Sequence, residues 1–99
     1  MSSTVRTVNV LLELFGQARL MTGLSEVEVA LPLRSRVGDV ASALAQLCPE
    51  LVGDVIRGDV SGFQDSYVLN LNGLSFVEDG WLAPEPGDRL LVFSSQAGG

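Results

Sequence analysis

The sequence predicts a single α+β domain, in which one long helix packs across one face of a mixed sheet of four or five strands. Two observations support this fold class. Segments in which apolar residues alternate with a period of two occur near both ends of the chain, and between them the apolar spacing changes to that of an amphipathic helix. The chain has 99 residues, 46% of them hydrophobic, so it can bury one core but has little room for an elaborate catalytic cavity. Catalysis by this chain alone is therefore not expected.

The first two predicted strands form a hairpin. Residues 5–15 alternate, and one face of this strand carries Val8, Val10, Leu12 and Leu14. Gly16 ends the strand, and residues 17–21 can form one helical turn. Residues 26–31 alternate again, and Pro32 ends this second strand because proline cannot donate to a sheet ladder.

The main helix is predicted to follow this hairpin. Its apolar residues recur at helical spacing, at Val37, Val40, Ala41, Leu44, Leu47 and Cys48. Ser35 is the candidate N-cap, Asp39 suits the positively polarised first turn, and Pro49 ends the helix. A short second helix is predicted over residues 50–56, although Gly53 weakens it.

A second hairpin is predicted after a surface loop. Residues 58–65 are mostly polar and contain glycine, which is typical of a loop. Residues 67–71 alternate as a strand, and the Asn72-Gly73 pair is a strong signal for a tight turn into a strand over residues 74–77.

The last strand is predicted over residues 89–93. It follows a turn with Pro86 at its second position and Gly87 at its third. The first and last strands are the most apolar, so we expect both to be central in the sheet. If they are adjacent, Phe15 and Phe93 fall on the same outer face.

Charge and composition exclude several kinds of partner and site. The net charge of −6 argues against nucleic acid and against an anionic membrane as partner. No apolar run approaches the roughly 20 residues that span a bilayer, and residues 1–7 lack the pattern of a secretory signal, so we expect a cytoplasmic protein. All six positive residues are arginines. With no histidine and one cysteine, the sequence provides neither a Cys/His zinc site nor a Cys-His nucleophile pair, and Cys48 is expected to pack as a small hydrophobic residue.

The sequence ends on Gly98 and Gly99, after a linker of small residues. We therefore divide it into a domain over residues 1–93 and a flexible tail over residues 94–99. A tail without bulky side chains fits a narrow channel, and two glycines let a partner's backbone close around a terminal carboxylate. The alternative is a frayed terminus, since chain ends are commonly poorly ordered.

The order and spacing of these segments resemble the MoaD/ThiS family of ubiquitin-like β-grasp sulfur carriers over nearly the whole chain. The resemblance is carried by Phe15-Gly16-Gln17-Ala18-Arg19, Thr22-Gly23, Val37-Gly38-Asp39-Val40, Leu69-Asn70-Leu71-Asn72-Gly73, Pro86-Gly87-Asp88 and Gly98-Gly99. It implies the β-grasp fold and a carrier rather than an enzyme.

The resemblance also implies a chemistry for the tail. Family members are activated by an E1-like adenylating enzyme of the MoeB/ThiF type, which uses ATP and magnesium to convert the C-terminal carboxylate into an acyl-adenylate. Sulfur from a donor such as a cysteine desulfurase or a rhodanese then gives a thiocarboxylate. In this sequence the reactive carboxylate is that of Gly99, and Gly98 lets it enter a partner's active site. No cofactor or metal is implied for this chain itself.

Within the family the resemblance is greatest to the MoaD type, the small subunit of molybdopterin synthase. Such a subunit inserts its tail into the large subunit, of the MoaE type, and donates sulfur to precursor Z in molybdenum cofactor biosynthesis. The implied docking residues are Phe15, Leu74, Phe76, Phe93 and Ala97. Core packing is the alternative for the apolar ones, and for Leu74 and Phe76 the two interpretations are evenly balanced.

Several alternatives stay open. The chain is also similar to ubiquitin-related modifiers, in which Gly99 would be conjugated to lysines of other proteins. A carrier for thiamine, cysteine or tRNA thiolation, or an interaction module with an inert tail, is compatible with the same pattern. Acidic contacts to a partner are candidates at Asp39, Asp54, Asp59, Glu78 and Asp79.

Overall fold

The computed structural model describes residues 6–77 and 80–95 of the chain. The secondary-structure elements are, in chain order, β1 (Thr7–Leu14), α1 (Gly16–Thr22), β2 (Glu26–Pro32), β3 (Ser35–Arg36), α2 (Val37–Leu47), a 3-10 turn (Pro49–Leu51), β4 (Tyr67–Leu71), β5 (Ser75–Val77), β6 (Trp81–Leu82) and β7 (Arg89–Ser94).

The main sheet has five strands in the order β2-β1-β7-β4-β5. Strands β1 and β7 are parallel, whereas the other neighbours pair antiparallel. The expectation that the first and last strands are central is confirmed, because β7 lies in the middle and β1 beside it. With α2 across one face, this is the predicted α+β, β-grasp architecture.

The hydrophobic core lies between α2 and one face of the main sheet. Alternate residues of β1 and β7 point into it, and Leu12, Leu90 and Val92 are fully buried. The helix contributes its own buried stripe, made of Val40, Ala41 and Leu44. We call this side of the sheet the covered face. Cys48 lies at the C-cap of α2 and is buried in the same core, as predicted.

The prediction that Ser35 caps the main helix is wrong. Ser35 is buried in β3, and its hydroxyl donates a hydrogen bond to the Pro32 carbonyl at 2.7 Å. The N-cap is Arg36, whose backbone N–H donates to the Asp39 carboxylate at 2.8 Å. Sequence spacing did not predict the small β3–β6 sheet, in which Arg36 pairs with Trp81, because its strands have two residues each.

The predicted second helix over residues 50–56 is also wrong. Only the 3-10 turn forms, because Gly53 has a φ of +108°, outside the helical region. The following segment, residues 58–65, is not simply a polar surface loop, since Phe63 is buried in the core. The backbone carbonyl of Ser61, in the same segment, lies so close to α2 that a Cβ on Gly38 would be 2.8 Å from the carbonyl oxygen. The loop therefore fixes the start of the helix.

The two predicted turns in the C-terminal half are confirmed. Asn72 and Gly73 have φ of +58° and +74°, as a type I′ hairpin requires. Gly87 has a φ of +86° after Pro86, and the Asp88 N–H donates to the Glu85 carbonyl at 3.0 Å, as in a type II turn. In the described part of the chain, neither helix has the length and apolarity needed to cross a bilayer.

Candidate functional site

The face of the main sheet opposite α2 carries the candidate site, and we call it the open face. Residues that alternate with the buried ones along each strand lie here, and the register places them in rows across the sheet. Its two halves differ in chemistry. The half formed by β2 and β1 carries carboxylates, and the half formed by β7, β4 and β5 carries aromatic and aliphatic side chains.

Three phenylalanine rings meet on the open face, and we call them the aromatic cluster. The rings of Phe15 and Phe93 are edge to face, with centroids 6.4 Å apart, and the rings of Phe76 and Phe93 are tilted at 6.2 Å. Phe15 is 37% exposed and Phe76 is 60% exposed. Such pairs contribute about 0.5–1.5 kcal/mol each beyond burial, but much of this apolar surface stays in contact with water. Exposed apolar patches of this kind are typical of interaction sites.

The parallel pairing of β1 and β7 positions this cluster. Leu14 pairs with Val92, and the Phe15 N–H donates to the Val92 carbonyl at 3.2 Å, so Phe15 and Phe93 come together at the same end of the sheet. The expectation that both lie on one outer face is confirmed. Ser95 follows immediately, and its N–H donates to the Ser66 carbonyl at 2.6 Å. The chain therefore leaves the sheet beside the aromatic cluster.

The other predicted docking residues differ in position. Leu74 is 86% exposed, so core packing is excluded, but it lies in the hairpin turn beyond the Leu71–Ser75 pair. Phe93 pairs with Val68 at the opposite end of β4, so the structure does not bring Leu74 into the aromatic cluster. Ala97, Gly98 and Gly99 lie outside the described residues. So do Glu78 and Asp79 among the acidic candidates.

Two of the remaining acidic candidates have local structural roles. Asp39 caps α2, as described above. The Asp59 carboxylate accepts hydrogen bonds from the Ser61 hydroxyl at 2.6 Å and from the Ser61 N–H at 3.0 Å, and these bonds lower the pKa of Asp59. Both contacts stabilise the chain's own turns, so neither residue is a distinctive part of a partner surface.

The acidic half of the open face is organised around Arg89. Its Nη1 donates to Glu13 Oε2 at 2.5 Å and lies 3.7 Å from Glu26 Oε2. The hydrogen bond to Glu13 is the main cause that raises the pKa of Arg89, followed by the negative charges of the two carboxylates. Glu28 adds a further carboxylate to this face, opposite Leu11. Three carboxylates against one guanidinium leave this half negative.

Asn70 is a polar residue embedded in the apolar half. Its neighbours in the register are Leu91 on β7 and Phe76 on β5, and Phe93 is the diagonal neighbour. Asn70 is 8% exposed, and its Oδ1 is buried without a hydrogen-bond partner among the described residues. Sequence reasoning missed Asn70, although its place between Leu69 and Leu71 in an alternating strand assigns it to the open face.

A basic and aromatic surface on the small sheet was also missed. The guanidinium carbons of Arg36 and Arg34 lie 4.4 Å and 5.0 Å from the centroid of the Trp81 ring, at cation–π distance. Neither arginine could be assigned from spacing alone, because the contact depends on the pairing of β3 with β6. Within residues 6–77 and 80–95, no group of three or more metal-ligating side chains is placed to hold a metal ion.

No protein-family model matches the chain, and no curated protein does. Among solved structures, SAMP1 from Haloferax volcanii superposes with a TM-score of 0.75 at 27% identity, covering 92% of this chain and 99% of that one. A second crystal structure, of the small archaeal modifier protein 1 of H. volcanii, gives 0.74 at 26% identity, covering 88% and 97%. This chain is therefore similar in fold to the small archaeal modifier proteins, which supports the ubiquitin-like, MoaD/ThiS-like resemblance.

A third solved structure of similar fold carries a different name. The Pyrococcus furiosus protein provisionally named molybdopterin converting factor, subunit 1, superposes with a TM-score of 0.61 at 24% identity, covering 88% of this chain and 97% of that one. At that identity it supports the fold alone. The expected β-grasp fold and the expected MoaD/ThiS-like resemblance are both confirmed.

Proposed function

We propose that this MoaD/ThiS-like protein is a sulfur carrier. An E1-like adenylating enzyme would activate the carboxylate of Gly99 with ATP and magnesium, and a sulfur donor would convert it into a thiocarboxylate. The chain itself contributes position rather than catalytic side chains, an effect that is large when the reacting group is well oriented.

The position of the aromatic cluster supports this proposal. The aromatic cluster lies at the end of the sheet where Ser95 follows β7. A partner that binds Phe15, Phe76 and Phe93 therefore has residues 96–99 within reach of its active site. Four residues follow Ser95 in the sequence, and extended residues span up to about 3.3–3.6 Å each. A tail of this length reaches a reactive centre roughly 13 Å from the edge of the docking surface.

The chemistry of the open face also describes the partner. The exposed rings fit an apolar pocket, and the three carboxylates of the acidic half, two of them paired with Arg89, favour a positively charged rim. Charge complementarity of this kind mainly increases the association rate and the specificity. A basic, apolar-lined docking surface suits both an activating enzyme and a later acceptor enzyme, which would bind the carrier in turn.

The direct test is intact-mass spectrometry after incubation with the E1-like enzyme, ATP, magnesium and a sulfur source. We expect a mass gain equal to the exchange of one oxygen for sulfur, and no gain in a variant that lacks Gly98 and Gly99. If the full chain gains no mass under conditions that convert a known carrier, the proposal is wrong.

For the sulfur acceptor, we propose precursor Z, with this chain as the non-catalytic small subunit of molybdopterin synthase. The support is the order and spacing of the sequence motifs, which resemble the MoaD type, and the P. furiosus protein named as a molybdopterin converting factor subunit has the same fold. Co-purification with a large synthase subunit, and molybdopterin formation only when the thiocarboxylated chain is added, are the expected results. Failure to complement with a competent large subunit would assign the carrier to another thiolation pathway.

A second candidate function is protein modification. It is favoured by the SAMP1 structures, whose protein is named as a small archaeal modifier. The chain has no lysine, so it cannot form chains through its own side-chain amines. Recovery of Gly-Gly remnants on lysines of other proteins would support this function, and their absence from cells that carry the activating enzyme would contradict it.

A further inference from the structure

Asn70 is a costly residue for the isolated domain. A buried acceptor without a donor destabilises the folded state, and an apolar residue of the same shape avoids that penalty. Leucine is such a residue, since it has the same number of side-chain heavy atoms and the same branching point as asparagine. The Asn70 side chain faces away from α2, on the open face, so its polarity does nothing for the core.

The surroundings of Asn70 indicate what its Oδ1 would accept. A carbonyl oxygen needs an N–H or O–H donor. Three carboxylates lie on the same open face, those of Glu13, Glu26 and Glu28, and Arg89 contacts the first two. This excess of negative charge favours a cationic donor. Aromatic rings lie on the same patch, and a planar guanidinium stacks on such rings while donating in its own plane.

We propose that Asn70 is a specificity-determining contact of the docking surface, and that its Oδ1 accepts a hydrogen bond from an arginine of the activating enzyme. The arginine side chain would enter beside Phe76, which is 60% exposed and lies on the three-residue strand β5. This inference rests on the proposed function, because it assumes that the open face binds the E1-like enzyme.

The hydrogen bond between Asn70 and the arginine would discriminate between partner proteins. An enzyme with an arginine at this position satisfies the buried carboxamide on binding. A purely apolar surface would dock on the same rings but would leave the Oδ1 unpaired, and this difference discriminates more strongly than a change in apolar area. The position is therefore destabilising in the free domain and favourable in the complex.

The test compares Asn70→Leu with Asn9→Leu, a matched control. Asn9 is exposed near the start of β1, opposite Ala30 and at the end of the strand away from Phe15. Two quantities are measured for each variant: the melting temperature of the chain, and its dissociation constant for the E1-like adenylating enzyme encoded in the same genome.

We expect Asn70→Leu to raise the melting temperature by about 4–8 °C, the shift that 1 kcal/mol gives a domain of this size. We expect the same variant to bind the enzyme at least about 10-fold more weakly, as for an interface residue whose loss is significant. Asn9→Leu should bind as the unchanged chain does. Asn70→Asp, which keeps an acceptor, should bind more tightly than Asn70→Leu although its melting temperature is lower.

Three results would overturn the inference. If Asn70→Leu is more stable and binds as well as the unchanged chain, the carboxamide destabilises the domain without contributing to binding. If Asn70→Leu melts at a lower temperature, the carboxamide stabilises the isolated domain and the premise is wrong. If Asn9→Leu weakens binding equally, the effect is not specific to Asn70. Failure of the unchanged chain to bind the enzyme would contradict the proposed function instead.

Discussion

The two faces of the main sheet are built from the same strands but have opposite requirements. On β7, Leu90 and Val92 are fully buried under α2, whereas Leu91 and Phe93 remain half-buried on the open face. The fully buried residues of the covered face are all apolar among those that the structure describes. The open face keeps exposed rings, ion pairs and a buried carboxamide without a donor, features that do little for folding. The difference separates residues that hold the fold from residues available to a partner.

The largest expected difference between the two faces is the loss of stability on truncating neighbouring residues of β7. Leu90→Ala removes a fully buried side chain, so we expect a loss of about 2–5 kcal/mol in the free energy of unfolding. Leu91→Ala, on the open face, should cost clearly less, because its side chain is already partly hydrated. Urea unfolding of both variants measures the difference. Equal losses would show that the open face contributes to the core as much as the covered face does.

The covered face also depends on how α2 is held in place. Gly38→Ala would put a Cβ 2.8 Å from the Ser61 carbonyl oxygen, so the loop or the helix must shift. We expect a loss of about 1–3 kcal/mol, typical of overpacking, even though alanine favours helices. Gly58→Ala in the same loop meets nothing within 4 Å and is the control. A Gly38→Ala variant as stable as the unchanged chain in thermal unfolding would refute this account of α2.

The aromatic cluster should show the reverse pattern of effects. Phe76→Ala is expected to lower the free energy of unfolding by no more than about 1.5 kcal/mol, because the residue is largely exposed and loses mainly its ring pair with Phe93. The same change should weaken binding of the E1-like enzyme by about 10- to 100-fold, as for an aromatic interface anchor. Leu74→Ala, in the turn outside the cluster, serves as the comparison and should bind nearly normally. Equal losses of binding affinity for the two variants would show that the docking surface extends to the hairpin turn.

The ion pairs of the open face should have the smallest effect on stability. Glu26 lies 3.7 Å from Arg89 and is well exposed, so Glu26→Gln should change the free energy of unfolding by less than about 0.5 kcal/mol. Glu13→Gln should cost more, since Glu13 is closer to Arg89 and less exposed. Thermal melts at low and high salt check this order. A larger loss for Glu26→Gln would mean that the acidic half stabilises the fold.

The sequence predicted the fold where local patterns and turn chemistry agreed. The alternation in β1 placed Phe15 on the outer face, and the Asn72-Gly73 and Pro86-Gly87 pairs predicted turns that the structure confirms. Ser35 was misassigned because a good capping residue was instead required to satisfy the Pro32 carbonyl inside the fold. Local capping propensity carries no information about a hydrogen bond that depends on the tertiary structure.

The candidate site was predictable in part. Phe15 and Phe93 could be paired from the apolar first and last strands, but the position of Leu74 relative to them depends on the β4–β5 register. The alternation of β4 assigns Asn70 to the open face, but the sequence does not show that this residue is buried there. Its burial and its unpaired Oδ1 follow from the neighbours that β5 and β7 place beside it, and these neighbours are distant in the chain.

The most direct test of the account is to map the surface that the activating enzyme touches. Amide resonances of the isotopically labelled chain would be followed while the unlabelled E1-like enzyme is added. We predict that shifts and line broadening concentrate on the open face of β7, β4 and β5 and at Phe15, next to the point where Ser95 leaves the sheet. Changes confined to α2 and the loop of residues 58–65, with the open face unaffected, would contradict the assignment of the open face as the docking surface.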